Sequence, residues 1–149
     1  MRAVLQRVSR ARVTVSQKIV GEIGSGLLIL LGVGREDTEH TAKTMAAKIG
    51  TLRIFEDERE KMNLSLLDVK GSALVISQFT LYGDARGQRR PSFISAAAPE
   101  AAKGLYEIFC AELERAGIPV ATGIFQATMS VELSNEGPVT ILLDSDKTL

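Results

Sequence analysis
Residues 26–33 read Gly-Leu-Leu-Ile-Leu-Leu-Gly-Val, a run that is apolar throughout and punctuated by glycine. It has no polar side to turn toward water, so it reads as a central strand covered on both faces, and it is too short to span a membrane. Ala11, Val13 and Val15 instead alternate with Arg12, Thr14 and Ser16, the period-two pattern of a strand with one buried and one wet face. Residues 2–8 and 18–23 are expected to flank that strand as neighbours.

Two segments carry helical spacing. Ala42, Met45, Ala46 and Ile49 follow Asp37-Thr38, a capping pair, and precede Gly50 as a stop, which predicts a helix over 38–49. Pro99 opens a second, over 99–116, with Ala102, Leu105, Phe109, Leu113 and Ala116 on one stripe and Gly117 and Pro119 beyond its end. Further strands are expected at 52–55, 72–79, 127–133 and 139–143, the last two meeting at a turn over 135–138. Two helices that do not alternate regularly with the strands favour an α+β fold of largely antiparallel sheets over a doubly wound one. At 149 residues and 45% hydrophobic content, with no Pro/Gly/Ser-rich linker, the chain fits a single domain over residues 1–149.

Composition narrows the function. Eighteen basic residues balance eighteen acidic ones, so nucleic-acid contact has to rest on a local patch and not on a global positive field. His40 is the only histidine and Cys110 the only cysteine, which excludes an intramolecular disulfide and leaves no His/Cys set of metal-site spacing. No metal or cofactor is expected, and a cytoplasmic protein is. His40 falls in the first turn of a helix among charged residues, and Cys110 beside the apolar stripe of the second helix, where a thiol behaves as a small core residue. Gly32-Val33-Gly34 lacks the third glycine of a dinucleotide fingerprint.

Chemistry concentrates where strand-like runs end in polar or special-backbone residues. Residues 77–83 read Ser-Gln-Phe-Thr-Leu-Tyr-Gly, and residues 135–140 read Asn-Glu-Gly-Pro-Val-Thr. Strand ends hold such groups in place better than free loops do. Arg86, Arg89 and Arg90 make the densest basic segment, suited to phosphate oxygens but equally an ordinary solvated loop. Taken singly, Ser77 and Thr80 could equally satisfy nearby backbone groups, Phe79 could be core, and Gly137-Pro138 a plain turn.

Together these residues resemble the D-aminoacyl-tRNA deacylase family, the D-tyrosyl-tRNA deacylases of older naming. The resemblance covers essentially the whole chain, through Met1-Arg2-Ala3-Val4-Leu5-Gln6-Arg7-Val8, Met62-Asn63-Leu64-Ser65-Leu66, Ser77-Gln78-Phe79-Thr80-Leu81, Arg89-Arg90-Pro91-Ser92-Phe93 and Asn135-Glu136-Gly137-Pro138-Val139-Thr140. Two departures stand out. Phe125-Gln126-Ala127-Thr128-Met129 replaces the Phe-Gly-Ala-Asp-Met of many relatives, and the basic loop is Arg86-Gly87-Gln88-Arg89-Arg90 instead of Lys-Gly-Arg-Arg.

The resemblance implies hydrolysis of the ester of D-aminoacyl-tRNA, and of mischarged glycyl-tRNA, by a homodimer acting on the acceptor end. A cis Gly137-Pro138 would reach into the partner's pocket and exclude L side chains, Asn135 belonging to the same motif. Phe79, Phe125 and Met129 would wall the terminal adenine, and Arg89 and Arg90 would meet phosphate. Ser77 and Gln78 would orient the ester, with the Phe79 and Thr80 N–H groups facing the developing oxyanion. Thr80 carries a hydroxyl placed to attack, yet no base is evident to activate it, which favours a positioning role. The other readings are a related branch acting on achiral or L-aminoacyl-tRNA and a non-catalytic RNA-binding module.

Overall fold
A computed structural model describes residues 1–148. In chain order its elements are β1 (Arg2–Val15), β2 (Lys18–Ile23), β3 (Gly26–Gly32), α1 (Glu39–Thr51), β4 (Phe55–Glu56), β5 (Met62–Leu64), β6 (Ser72–Ser77), a 3₁₀ turn η1 (Phe79–Tyr82), α2 (Pro99–Arg115), β7 (Val120–Thr122) and β8 (Ser130–Asp144). The class is α+β, with two helices against one mixed sheet.

The sheet is organised around β1. On one side β1 pairs antiparallel first with β3 (Arg2 opposite Gly32) and then with β2 (Ala11 opposite Ile23); along its other side runs β8, from Asp144 opposite Arg2 to Ser130 opposite Thr14. Parallel pairings of β3 with β6 and β6 with β7 extend the sheet. It then curls nearly shut: a Cβ on Gly21 of β2 would fall 2.5 Å from the carbonyl oxygen of Thr122 in β7, so glycine permits the close approach. A separate β4–β5 hairpin stands to the side.

The apolar run 26–33 is explained by the two cores. Leu27, Ile29 and Leu31 face the helices with Ala73, Val75, Ile49, Phe109 and Leu113, whereas Leu28 joins Val8, Val13, Ile23, Leu74 and Ile76 inside the barrel. Each fully buried Leu, Ile, Val or Phe among them contributes about 1.5–3 kcal/mol. Among the described residues, no helix is long and apolar enough to cross a membrane.

Several local expectations are corrected. Residues 2–8 and 11–15 are one strand rather than neighbours, because β3 and β2 succeed each other along the same side of it. The segments 127–133 and 139–143 likewise do not form a hairpin: residues 130–144 are one strand interrupted by a bulge. Gly50 lies inside α1, which continues to Thr51; a Cβ there would meet Ile118 Cδ1 at 3.0 Å, so the glycine serves packing. Thr38 caps this helix reciprocally with Thr41. The strand expected at 52–55 is reduced to Phe55–Glu56, and the one expected at 72–79 ends at Ser77.

Candidate active site
The end of β6 is where the first motif takes shape. The Gln78 N–H donates to the Leu31 carbonyl at 2.8 Å, the last bond along the β3 edge, and the chain then winds into η1. The first N–H groups of a helical turn have no carbonyl within it to bond, and here they belong to Phe79 and Thr80. Gly32 lets the turn sit on the end of β3, since a Cβ there would fall 3.0 Å from the Gln78 carbonyl oxygen and 3.1 Å from Leu81 Cβ. Arg2 holds the turn from below. Its Nη1 donates to the Leu81 carbonyl at 2.9 Å, and its guanidinium lies 4.6 Å from the centroid of the buried Tyr82 ring.

Beside this turn opens a cleft of about 500 Å³. Ser77, Gln78, Phe79, Phe125 and Met129 line it, so five of the residues expected at the site converge. Phe79 is not core: it is 55% exposed and meets Phe93 edge to face, ring centroids 5.1 Å apart. Phe93 and Gln126 are lining residues to which the sequence reading gave no role. The signal for Phe93 was its place in the Arg-Arg-Pro-Ser-Phe segment. Thr80 is exposed and does not line the cleft; its hydroxyl accepts from Gln78 Nε2 at 2.5 Å.

No lining residue is titratable. His40 is on α1 with its ring nitrogen 3.4 Å from Thr44 Oγ1, and Cys110 is in the core beside Tyr106, where burial pushes its thiol up to about 12. Among the described residues, no group of three or more His, Cys, Asp or Glu is arranged to hold a metal ion.

The second motif is built differently. Between the pairs Gln6–Thr140 and Val8–Asn135, the single residue Arg7 faces residues 136–139, so β8 throws out a bulge that carries Gly137-Pro138. Asn135 staples its base, Nδ2 donating to the carbonyls of Arg7 (2.9 Å) and Val139 (3.0 Å). Arg7 is 5% exposed; its Nε donates to the Glu136 carbonyl at 3.3 Å, its Nη1 to the Ile54 carbonyl at 2.9 Å, and its Nη2 lies 3.4 Å from Glu56 Oε1. This anchoring arginine was read only as part of an N-terminal motif. The Gly137-Pro138 bond is cis, and Gly137 has φ +117°.

The bulge and the cleft are separate within one chain. Gly137 borders a shallow recess with Arg7, Phe55 and Val69, and neither it, Pro138 nor Asn135 lines the cleft. Arg89 and Arg90 are exposed on the loop after η1 and do not line it either. Arg86 is engaged: its Nε and Nη2 grip both carboxylate oxygens of Asp84, at 2.9 and 2.7 Å.

A solved structure described as "c-Myc DNA Unwinding Element Binding Protein" superposes with a TM-score of 0.92 at 41% identity, covering 97% of this chain and 99% of that one. Another, of a probable eukaryotic D-amino acid tRNA deacylase, has a TM-score of 0.83 at 20% identity over 95% and 97% of the two chains, a likeness of fold alone. Among curated proteins, the D-aminoacyl-tRNA deacylase of Koribacter versatilis is 62% identical and that of Fervidobacterium nodosum 59%, each over 99% of both chains. Fold, cleft and relatives together define a hydrolase of the ester bond in D-aminoacyl-tRNA. The family model for D-Tyr-tRNA(Tyr) deacylase matches residues 4–144, and the chain belongs to that family.

Proposed function
We propose that the cleft receives the 3′-terminal aminoacyl-adenosine of tRNA in the cytoplasm and that a second copy of the chain completes it. The carrying observation is an aromatic-walled cleft edged by the start of η1 and free of titratable side chains. Phe79, Phe125 and Met129, with Phe93, enclose the base by stacking and apolar contact. Ser77 and Gln78 orient the ester. The Phe79 and Thr80 N–H groups stabilise the oxyanion, and Thr80 positions substrate through the hydroxyl that Gln78 holds. The ester is already activated, so alignment does most of the work.

The homodimer reading rests on the bulge, which stands exposed on β8 and away from its own cleft. In a dimer, the Gly137-Pro138 carbonyls of one copy lie over the cleft of the other, obstructing an L side chain while leaving room for a D side chain or for glycine. Matched D- and L-aminoacyl-tRNA, with glycyl-tRNA as a third substrate, test this in the presence of chelator. Release of D-amino acid and glycine with L-aminoacyl-tRNA spared is expected, whereas loss of activity restored specifically by zinc contradicts the metal-free reading.

Gly137→Ala probes the chiral element. Its Cβ would meet Val139 Cγ2 at 2.9 Å and Arg7 Nη2 at 3.0 Å, at a φ that L residues rarely adopt. The variant is expected to lose about 1–3 kcal/mol of stability. Its D-over-L preference should fall by roughly tenfold or more, since displacements near 1 Å carry effects of that size. Undiminished preference in a displaced bulge would contradict the cross-subunit role.

Arg89 and Arg90 are assigned to phosphates of the acceptor stem. Arg89→Ala and Arg90→Ala are each expected to raise KM more than they lower kcat, and to reduce the salt dependence of binding by about one phosphate contact. Unchanged binding at low and high salt makes the loop a solvated surface.

A further inference from the structure
Among the described residues, six other than glycine have a positive φ: Ser16, Gln17, Glu60, Lys70, Gln126 and Lys147. Only Gln126 lines the cleft. The Ala127 N–H donates to the Ile124 carbonyl at 3.1 Å, closing a four-residue turn with Phe125 and Gln126 at its centre. Gln126 has φ +65° whereas Phe125 is not in the positive-φ region, so the turn follows the type II pattern, whose third position favours glycine or asparagine. Glutamine is a costly occupant there, because its Cβ crowds the backbone in the left-handed region. Gln126 is exposed, and among the described residues its amide makes no hydrogen bond.

What the side chain adds is chemical. The other polar side chains of the cleft, Ser77 and Gln78, come from the end of β6, and the wall formed by Phe125, Ala127 and Met129 is otherwise apolar. A base held between aromatic and apolar surfaces has ring nitrogens and an exocyclic amine that lose water on entry and need partners. A glutamine amide presents an acceptor and a donor side by side, the complement of the N6 and N7 edge of adenine. We infer that Gln126 reads this edge of the terminal adenosine, making it a specificity-determining residue for the base. The inference rests on the assignment of the cleft to that nucleoside.

The test uses full-length protein and a non-hydrolysable probe, D-alanine joined by an amide to 3′-amino-3′-deoxyadenosine. Two counterparts are the purine analogue without the N6 amine and the 7-deaza analogue without N7. Wild type is expected to prefer the adenosine probe over each counterpart by roughly fivefold or more. Gln126→Gly should bind the adenosine probe weakly and the three probes alike, with KM for D-aminoacyl-tRNA raised and kcat within about twofold. The same variant should fold more stably, by roughly fivefold in the unfolding equilibrium, since the turn then carries its favoured residue. Weaker binding from a more stable protein is a combination that a merely structural residue does not produce. Equal loss of affinity for all three probes, or unchanged affinity for the adenosine probe, overturns the inference and leaves the cleft assignment standing. Failure of wild type to bind any probe overturns the cleft assignment itself and this inference with it.

Discussion

A D-aminoacyl-tRNA whose terminal ribose lacks the 2′-hydroxyl is expected to be cleaved about 10²–10³-fold more slowly than the natural substrate, while Thr80→Ala stays within about tenfold of wild type. The expected asymmetry follows from what lines the cleft. The side chains lining the cleft include no acid, base or thiol, and the Thr80 hydroxyl has an amide nitrogen as its partner rather than a group able to take its proton. A hydroxyl without such a base is a poor nucleophile near neutral pH. On the proposed reading, the neighbouring hydroxyl of the substrate is the group left to help water or the leaving oxygen. Single-turnover cleavage of both substrates by both proteins measures this directly. The same reasoning predicts a pH–rate profile without a bell between pH 5 and 8. An inactive Thr80→Ala together with normal cleavage of the deoxy substrate would make Thr80 the nucleophile.

Asp37→Ala should lower stability by about 3–5 kcal/mol, the usual consequence of leaving one member of a buried ion pair alone. The Met1 ammonium lies 2.5 Å from Asp37 Oδ1 and 2.5 Å from Ser145 Oγ, and the Gly34 N–H donates to Asp37 Oδ2 at 2.6 Å. Both partners are almost entirely removed from water. At this chain length the melting temperature should fall by on the order of 10 °C. Asp37→Asn keeps an acceptor for Gly34 and should lose less. Neither change touches the cleft, so the folded fraction should retain its turnover. Melting curves of the two variants decide the matter, and a loss below about 1 kcal/mol would mean that the pair is held by its neighbours and not the reverse.

Periodicity made the elements legible, and register made the topology illegible. The run at 26–33 could be read as doubly covered because nothing in it is polar, and Thr38 and Pro99 announced the helix starts through their capping and φ preferences. What sequence spacing does not encode is which side of a strand its neighbours take. Residues 2–8 and 11–15 therefore looked like two strands, although β3 and β2 simply share one long side of β1. The bulge at 136–139 looked like a hairpin turn for the same reason: Gly-Pro interrupts a ladder and reverses a chain with the same local chemistry. Ser77, Gln78 and Phe79, which line the cleft, stood out in the sequence because their types and order are distinctive. Phe93 and Arg7 were not assigned, since an aromatic facing another across a cleft and an arginine bonded to three carbonyl or carboxylate oxygens depend on contacts distant in sequence.

The pairing of β1 with β8 also sets the order of events in synthesis. The strand spanning residues 2–15 has its longest partnership with residues 130–144, so a nascent chain has to keep its opening segment unpaired along that side until nearly all the rest has emerged. Polymerisation proceeds at roughly 5–20 residues per second, which leaves an apolar-faced edge waiting for several seconds. Native contacts of such sequence separation also slow the search itself. Slow, aggregation-sensitive refolding from denaturant is the expected signature, and cutting the chain before residue 130 should strand β1 without its longest partner, however complete the helices and cleft walls on the remaining fragment.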